Sequence, residues 1–190
     1  LLADPSRYFS NLKLFVIPGG FSFGDELGSG KILALKLKHG LGDLLDKYLK
    51  DGGAMLGICN GFQALARLGI FNEAFGGEVV LAHNRDGHFL NRWVGMSITG
   101  KSIFTDKIEA ARLELPIRHG EGRLVFADES KARLAFERGA GVLRYEEDIN
   151  GAFECTAGIS AFEGRVLGLM PHPEAFWCEE LHPYGNTKQS

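Results

Sequence analysis

Cysteine is scarce in this chain of 190 residues: only Cys59, Cys155 and Cys178 occur, an odd number at irregular spacing. A disulfide framework is therefore not expected, and a reducing, intracellular compartment is the better expectation. Long apolar runs are also missing. No stretch approaches the ~20 residues that a membrane-spanning helix needs, and the opening LLADPSRYF lacks the basic and apolar segments of a secretion signal. Neither sign of charge is in excess, with a net charge of −3. Basic residues are dispersed, so no nucleic-acid or anionic-membrane partner is expected. Proline is sparse, with six in all, yet two of them bracket a single histidine, His172.

Glycine is abundant, with 26 residues, and 45% of the chain is hydrophobic. That size and composition suit one domain, residues 1–190, able to bury a core without staples. Leu12 to Ile17 (LKLFVI) is a buried-strand pattern ended by Pro18-Gly19-Gly20. Leucines at 33, 37, 41, 44, 45 and 49 predict a helix over Lys31 to Lys50, broken or kinked at Gly40 and Gly42. Ala54 to Ile58 predicts a second buried strand and Asn60 to Leu68 a second helix. Continuously apolar strands alternating with helices predict an α/β fold with a mostly parallel, doubly wound sheet.

The middle of the chain differs. Glu78 to Ala82, His88 to Ile98 and Arg112 to Arg118 predict a small antiparallel addition. A helix over Asp128 to Arg138 and strands at Val142 to Tyr145, Ala157 to Ala161 and Val166 to Met170 follow. The polar, proline-containing opening does not predict the strand and helix that ordinarily begin such a domain.

Chemistry concentrates in GICNGFQAL, Gly57 to Leu65. A thiol between two glycines, after a strand and before a helix, has the logic of a nucleophile elbow with sulfur in place of oxygen. Glycines permit the sharp turn, and the helix N-terminus favours thiolate over thiol. The plain alternative is a core cysteine at a strand end.

A nucleophile needs a base, and GLMPHPE, Gly168 to Glu174, offers His172. Pro173 biases His172 toward extended backbone, which would turn Glu174 to the same side as the ring. Cys59, His172 and Glu174 thus form a candidate catalytic triad. A glycine N–H in Pro18-Gly19-Gly20-Phe21 and the N–H of Asn60 are candidate oxyanion donors. GSGK at Gly28 to Lys31 lacks the flanking residues of a phosphate loop. His172, Cys178 and His182 fit no common zinc spacing, so no metal is expected.

PGGFSFGDEL, GICNGFQAL and GLMPHPEAF, in this order, resemble the three signatures of the class I, triad-type glutamine amidotransferases, a flavodoxin-like family. With PIRHGEGR, Pro116 to Arg123, they resemble most narrowly the glutaminase branch of phosphoribosylformylglycinamidine synthase. The resemblance implies that Cys59 is the nucleophile, His172 the acid/base and Glu174 its orienting partner. It also implies that Gly20 and Asn60 supply the oxyanion amides and that Gln63 frames the substrate, L-glutamine. His119 becomes a candidate for the site or for a partner interface.

The same resemblance implies ammonia delivery to a synthetase subunit or domain, with a small accessory subunit in some assemblies. ATP and Mg are then expected only on the synthetase, with no cofactor in this chain. Another amidotransferase serving a different acceptor, a cysteine hydrolase on the same scaffold and a non-catalytic binding module stay open at this point.

Overall fold

A computed structural model describes residues 4–23, 28–110 and 112–183. A short helix α1 (Pro5–Phe9) precedes strand β1 (Leu14–Ile17). Helix α2 (Lys31–Lys50) leads to β2 (Ala54–Ile58), and β2 runs directly through Cys59 into helix α3 (Asn60–Arg67). Helix α4 (Asn72–Phe75) and strands β3 (Val79–Ala82), β4 (Leu90–Ile98), β5 (Arg112–His119) and β6 (Arg123–Phe126) make up the middle. Helix α5 (Glu129–Glu137) and strands β7 (Gly141–Tyr145), β8 (Thr156–Ala161) and β9 (Val166–Leu169) follow. No helix of the described residues is long and apolar enough to cross a membrane.

Seven strands form one sheet in the order β1-β2-β9-β8-β7-β4-β5. β1, β2 and β9 run parallel, in a register that sets Ile17 beside Gly57 and Ile58 beside Leu169. Their carboxyl ends therefore finish level, and the three segments that follow them open on one edge, where open α/β sheets place their sites. This parallel unit, with α2 and α3 against it, is the α/β core expected from the apolar strands.

The antiparallel part is larger than the small addition expected. β8, β7, β4 and β5 all join the main sheet by antiparallel pairing. β3 pairs instead with β6 in a separate two-stranded sheet, and β6 has no counterpart among the sequence-based elements. β4 pairs with β7 only from Met96 to Ile98, whereas it pairs with β5 from Leu90 to Ser97. The outer half of the hairpin is thus free of the main sheet, and it returns over the parallel edge. There the Pro116 carbonyl accepts from the His172 N–H at 2.9 Å.

Helix α2 is one continuous element despite Gly40 and Gly42. Leu41, Leu45 and Leu49 are buried along a single stripe, and this tertiary packing outweighs the ~1 kcal/mol that each interior glycine costs. Within α3, every residue from Asn60 to Ala66 is buried, as expected of a helix enclosed on all sides. The ends of α2 and β2 are tied together by Tyr48, whose hydroxyl donates to the Ala54 carbonyl at 2.8 Å.

Candidate active site

Cys59 lies between β2 and α3 with φ 49° and ψ −105°, a left-handed backbone that a residue with a β-carbon adopts only under strain. The turn is fixed by its neighbours. Its own N–H donates to the Leu169 carbonyl at 2.8 Å, and its carbonyl accepts from the Gln63 N–H at 3.0 Å. The flanking glycines are there for close approach. A β-carbon on Gly61 would overlap the Ile17 carbonyl oxygen, and one on Gly57 would lie 2.6 Å from Leu65 Cδ1.

His172 follows β9 and is almost fully buried. Its Nδ1 lies 2.6 Å from Glu174 Oε1. His172 itself has φ −110° and ψ 83°, outside the helical region, but Pro173–Ala175 forms a 3-10 turn, so the chain does not run on extended to Glu174. The carboxylate reaches the ring by that turn instead. Nε2 of His172 has no hydrogen-bond partner among the described residues.

His172 and Cys59 both border Gly19, in the glycine loop after β1. A β-carbon on Gly19 would sit 2.6 Å from His172 Cε1 and 3.5 Å from Cys59 Cβ. Any larger residue at position 19 would displace the imidazole, while Cys59 would be left in ordinary contact. Cys59 Sγ also lies 3.6 Å from the Arg118 carbonyl oxygen, at the tip of the returning β5.

Gly19, Gly20, Phe21, Ser29, Cys59, Asn60, Gln63, His119, His172 and Glu174 all line one cavity of about 270 Å³. That is close to the lower end of the ~300–1,000 Å³ range of small-molecule sites, a scale suited to a single amino acid. The structure thus brings all six expected site residues to one place. Gly20 takes a positive φ of 115°. The Asn60 side chain joins its loop to the elbow helix. Its Oδ1 accepts from the Ser22 N–H at 3.3 Å, and its amide nitrogen donates to Gln63 Oε1 at 3.1 Å.

Gln63 is at the cavity wall, but its amide nitrogen is already engaged, donating to the Glu121 carbonyl at 2.6 Å. Sequence reasoning assigned it to substrate framing; its observed contact ties α3 to the turn after β5.

Glu121 and Arg67, which support the wall residue Ser29, had no sequence assignment. The buried Glu121 carboxylate accepts from the Ser29 N–H at 3.2 Å and lies 3.7 Å from Arg67. Arg67 in turn donates to the Ser29 carbonyl at 2.8 Å. This closed triangle fixes the loop before α2 against α3. The HGEGR stretch was its only signal, since a buried Glu in a glycine-rich turn needs partners to remain there.

Phe21, half-exposed, stacks obliquely on Phe89 at the cavity mouth, with ring centroids 6.0 Å apart. Phe23 lies under the Lys36 ammonium, away from the cavity wall. Asp25 and Glu26 lie outside the described residues. Cys155 belongs to a 3-10 turn just before β8. Among the described residues, no group of three His, Cys, Asp or Glu side chains is arranged to hold a metal ion.

A thiol at a strand tip, an imidazole and a carboxylate on the carboxyl edge of such a sheet are the arrangement that the class I glutamine amidotransferases carry. The chain matches the CobB/CobQ-like glutamine amidotransferase domain over residues 2–190 and belongs to that family. It is 37% identical over 193 residues to the phosphoribosylformylglycinamidine synthase subunit PurQ of Dehalococcoides mccartyi, covering 96% of this chain and 74% of the relative. The PurQ subunit of Parasynechococcus marenigrum is 40% identical over 171 residues, covering 87% and 72%.

Among solved structures, a chain of PurLQS from Thermotoga maritima superposes with a TM-score of 0.72 at 34% identity, covering 89% of this chain and 72% of that one. A glutamine amidotransferase from Thermotoga maritima, at 22% identity and a TM-score of 0.54, shares the fold.

Proposed function

We propose that this chain is the glutaminase component of phosphoribosylformylglycinamidine synthase and works in the cytoplasm. It hydrolyses glutamine and passes ammonia to a synthetase that carries the ATP and Mg chemistry, in an assembly with room for a small accessory subunit. Relatives that bear this name along most of their length support the reading. The observation that carries it is that Cys59, His172 and Glu174 line one amino-acid-sized cavity, with Cys59 and His172 both bordering Gly19.

The reaction then runs in two halves. Cys59, as thiolate, adds to the carboxamide carbon, forming a C–S bond and placing negative charge on the former carbonyl oxygen. The N–H groups of Gly20 and Asn60 receive that charge; one such donor is worth about 3 kcal/mol in the transition state. Asn60 is the first residue of α3, so its N–H has no partner within the helix. His172 gives a proton to the amide nitrogen, the C–N bond breaks and ammonia leaves.

Water then attacks the thioester. His172 takes its proton, the C–S bond breaks, and glutamate departs with the thiolate restored. Glu174 holds Nδ1 throughout and so presents Nε2 to the reacting groups.

The test is Cys59→Ala in the complex with the synthetase. Amidine synthesis from glutamine should vanish while synthesis from added ammonium salt continues. Retention of glutamine-dependent synthesis would overturn the reading. Glutaminase turnover of the chain alone should also be well below that in the complex, because ammonia released without a consumer is wasted.

A further inference from the structure

His119 ends β5 with 1% of its surface exposed, and nothing in the mechanism above uses it. Its ring is oriented by Asn84. Both amide hydrogens of Asn84 are committed, one to the His88 carbonyl and one to the His119 carbonyl, each at 2.8 Å. Asn84 Oδ1 therefore faces the ring, 3.0 Å from Nδ1, and also accepts from the Gly122 N–H at 3.3 Å. An amide oxygen cannot donate, so Nδ1 must carry the ring proton and Nε2 a bare lone pair. Gly122 leaves space for this arrangement, because a β-carbon there would overlap the imidazole.

Nε2 of His119 is buried and has no hydrogen-bond partner among the described residues. The residue lines the same cavity as Cys59 and His172. Burial first, and then the proximity of His172, hold its pKa down to about 4, so the ring stays neutral and remains an acceptor at physiological pH. A second acceptor is close by: the Arg118 carbonyl oxygen, which accepts from the Cys59 thiol at 3.6 Å and keeps a second lone pair, with the first released when the thiol ionises. The wall beside the nucleophile thus offers two acceptors in consecutive residues.

A carboxamide and a carboxylate differ most at this kind of wall. The carboxamide of glutamine carries two N–H donors, whereas the side chain of glutamate at neutral pH carries none. A buried acceptor left without a donor is costly, and one pressed against a carboxylate oxygen is worse.

We propose that His119 Nε2 accepts a hydrogen bond from the carboxamide N–H of the bound substrate, and that with the Arg118 carbonyl it makes the site expel the glutamate product. The proposal rests on the glutaminase reading. His119 then serves binding and discrimination, while proton transfer stays with His172.

The test uses the complex with its synthetase. The KM for glutamine and the inhibition constant of glutamate are measured for the wild type, His119→Phe and His119→Gln. Phenylalanine removes the acceptor and keeps the ring volume; glutamine restores an acceptor oxygen. For His119→Phe, the ratio of the glutamate inhibition constant to the glutamine KM should fall about tenfold, the scale of one hydrogen bond. His119→Gln should recover part of it.

An unchanged ratio overturns the proposal, whether both ligands weaken together or neither moves. Joint weakening is what a purely structural residue, or one that binds the α-ammonium shared by both ligands, would give. Should the variants fail to fold, the ¹⁵N resonance of His119 Nε2 in the Cys59→Ala chain supplies the answer. It should shift on adding glutamine and not glutamate, and equal shifts overturn the proposal. A wild-type complex that hydrolyses no glutamine would instead remove the glutaminase reading itself, so the two failures are distinct.

Discussion

Nδ1 of His172 lies 2.6 Å from Glu174 Oε1 across a single proline. The contact is made by a 3-10 turn that starts at Pro173, with the Ala175 N–H returning to the His172 carbonyl at 3.1 Å. The imidazole is buried while the Glu174 side chain is 47% exposed, so one partner is held by the protein and the other is open to solvent. The pair therefore works mainly by orientation, since an exposed carboxylate contributes little net ion-pair energy.

Glu174→Gln preserves shape and an acceptor oxygen but removes the charge that stabilises an imidazolium. Turnover of glutamine in the complex should fall by about 10–100-fold, less than the ~10⁴-fold that follows loss of a buried aspartate from a serine protease triad. The KM should change little, because the lost interaction strengthens only as His172 becomes charged. Steady-state kinetics at saturating synthetase substrates measures both.

Two glycines should respond to alanine in opposite directions. At Gly61 the added β-carbon would overlap the Ile17 carbonyl oxygen, so β1 and α3 must separate. Gly61→Ala should cost about 1–3 kcal/mol, as overpacking does, and lower activity by moving the elbow. At Gly42, inside α2, the added atom meets nothing within 4 Å. Gly42→Ala should stabilise the chain by about 0.5–1 kcal/mol through helix propensity and a restricted unfolded state. Urea denaturation of both variants checks the sign.

The Gly57–Gly61 elbow was legible because its constraint is steric and local: two glycines that neighbouring backbone requires, next to one reactive atom. His172 was legible through its prolines and its place after an apolar strand. Three features were not. The return of the β4–β5 hairpin depends on a bond between the Pro116 carbonyl and the His172 N–H, and neither group leaves a residue-type signal. The same holds for the Arg118 carbonyl beside Sγ. β6 spans only Arg123 to Phe126 after a glycine-rich turn, too short for its alternation to stand out. The unbroken α2 was missed because propensity at Gly40 and Gly42 is weaker than the packing of Leu41, Leu45 and Leu49.

Gln63 separates substrate contact from support. Its Nε2 donates to the Glu121 carbonyl at 2.6 Å, so Gln63→Leu leaves that carbonyl without this donor. Unfolding in urea without glutamine should show a loss of about 1–3 kcal/mol, the cost of an unpaired buried polar group. A residue that touched only substrate would leave this stability unchanged. In the complex, the KM for glutamine should rise more than kcat falls, because the displaced turn carries the wall that includes His119 and Gly120.

His119 should also make folding stability depend on pH. Its folded pKa of about 4 lies below the ordinary value of 6.5, the cause being burial first and the facing His172 second. As pH falls, the unfolded chain takes up the proton before the folded one. The contribution is therefore present above pH ~6.5, is lost progressively down to pH ~4, and totals about 3 kcal/mol. Between pH 7 and pH 5 the share from this residue is about 2 kcal/mol. Urea unfolding of the wild type and of His119→Gln at these two pH values isolates it, because the other titrating groups are common to both. The variant should lose correspondingly less stability on acidification, and equal losses would mean that His119 takes up its proton as readily in the folded chain as in the unfolded one.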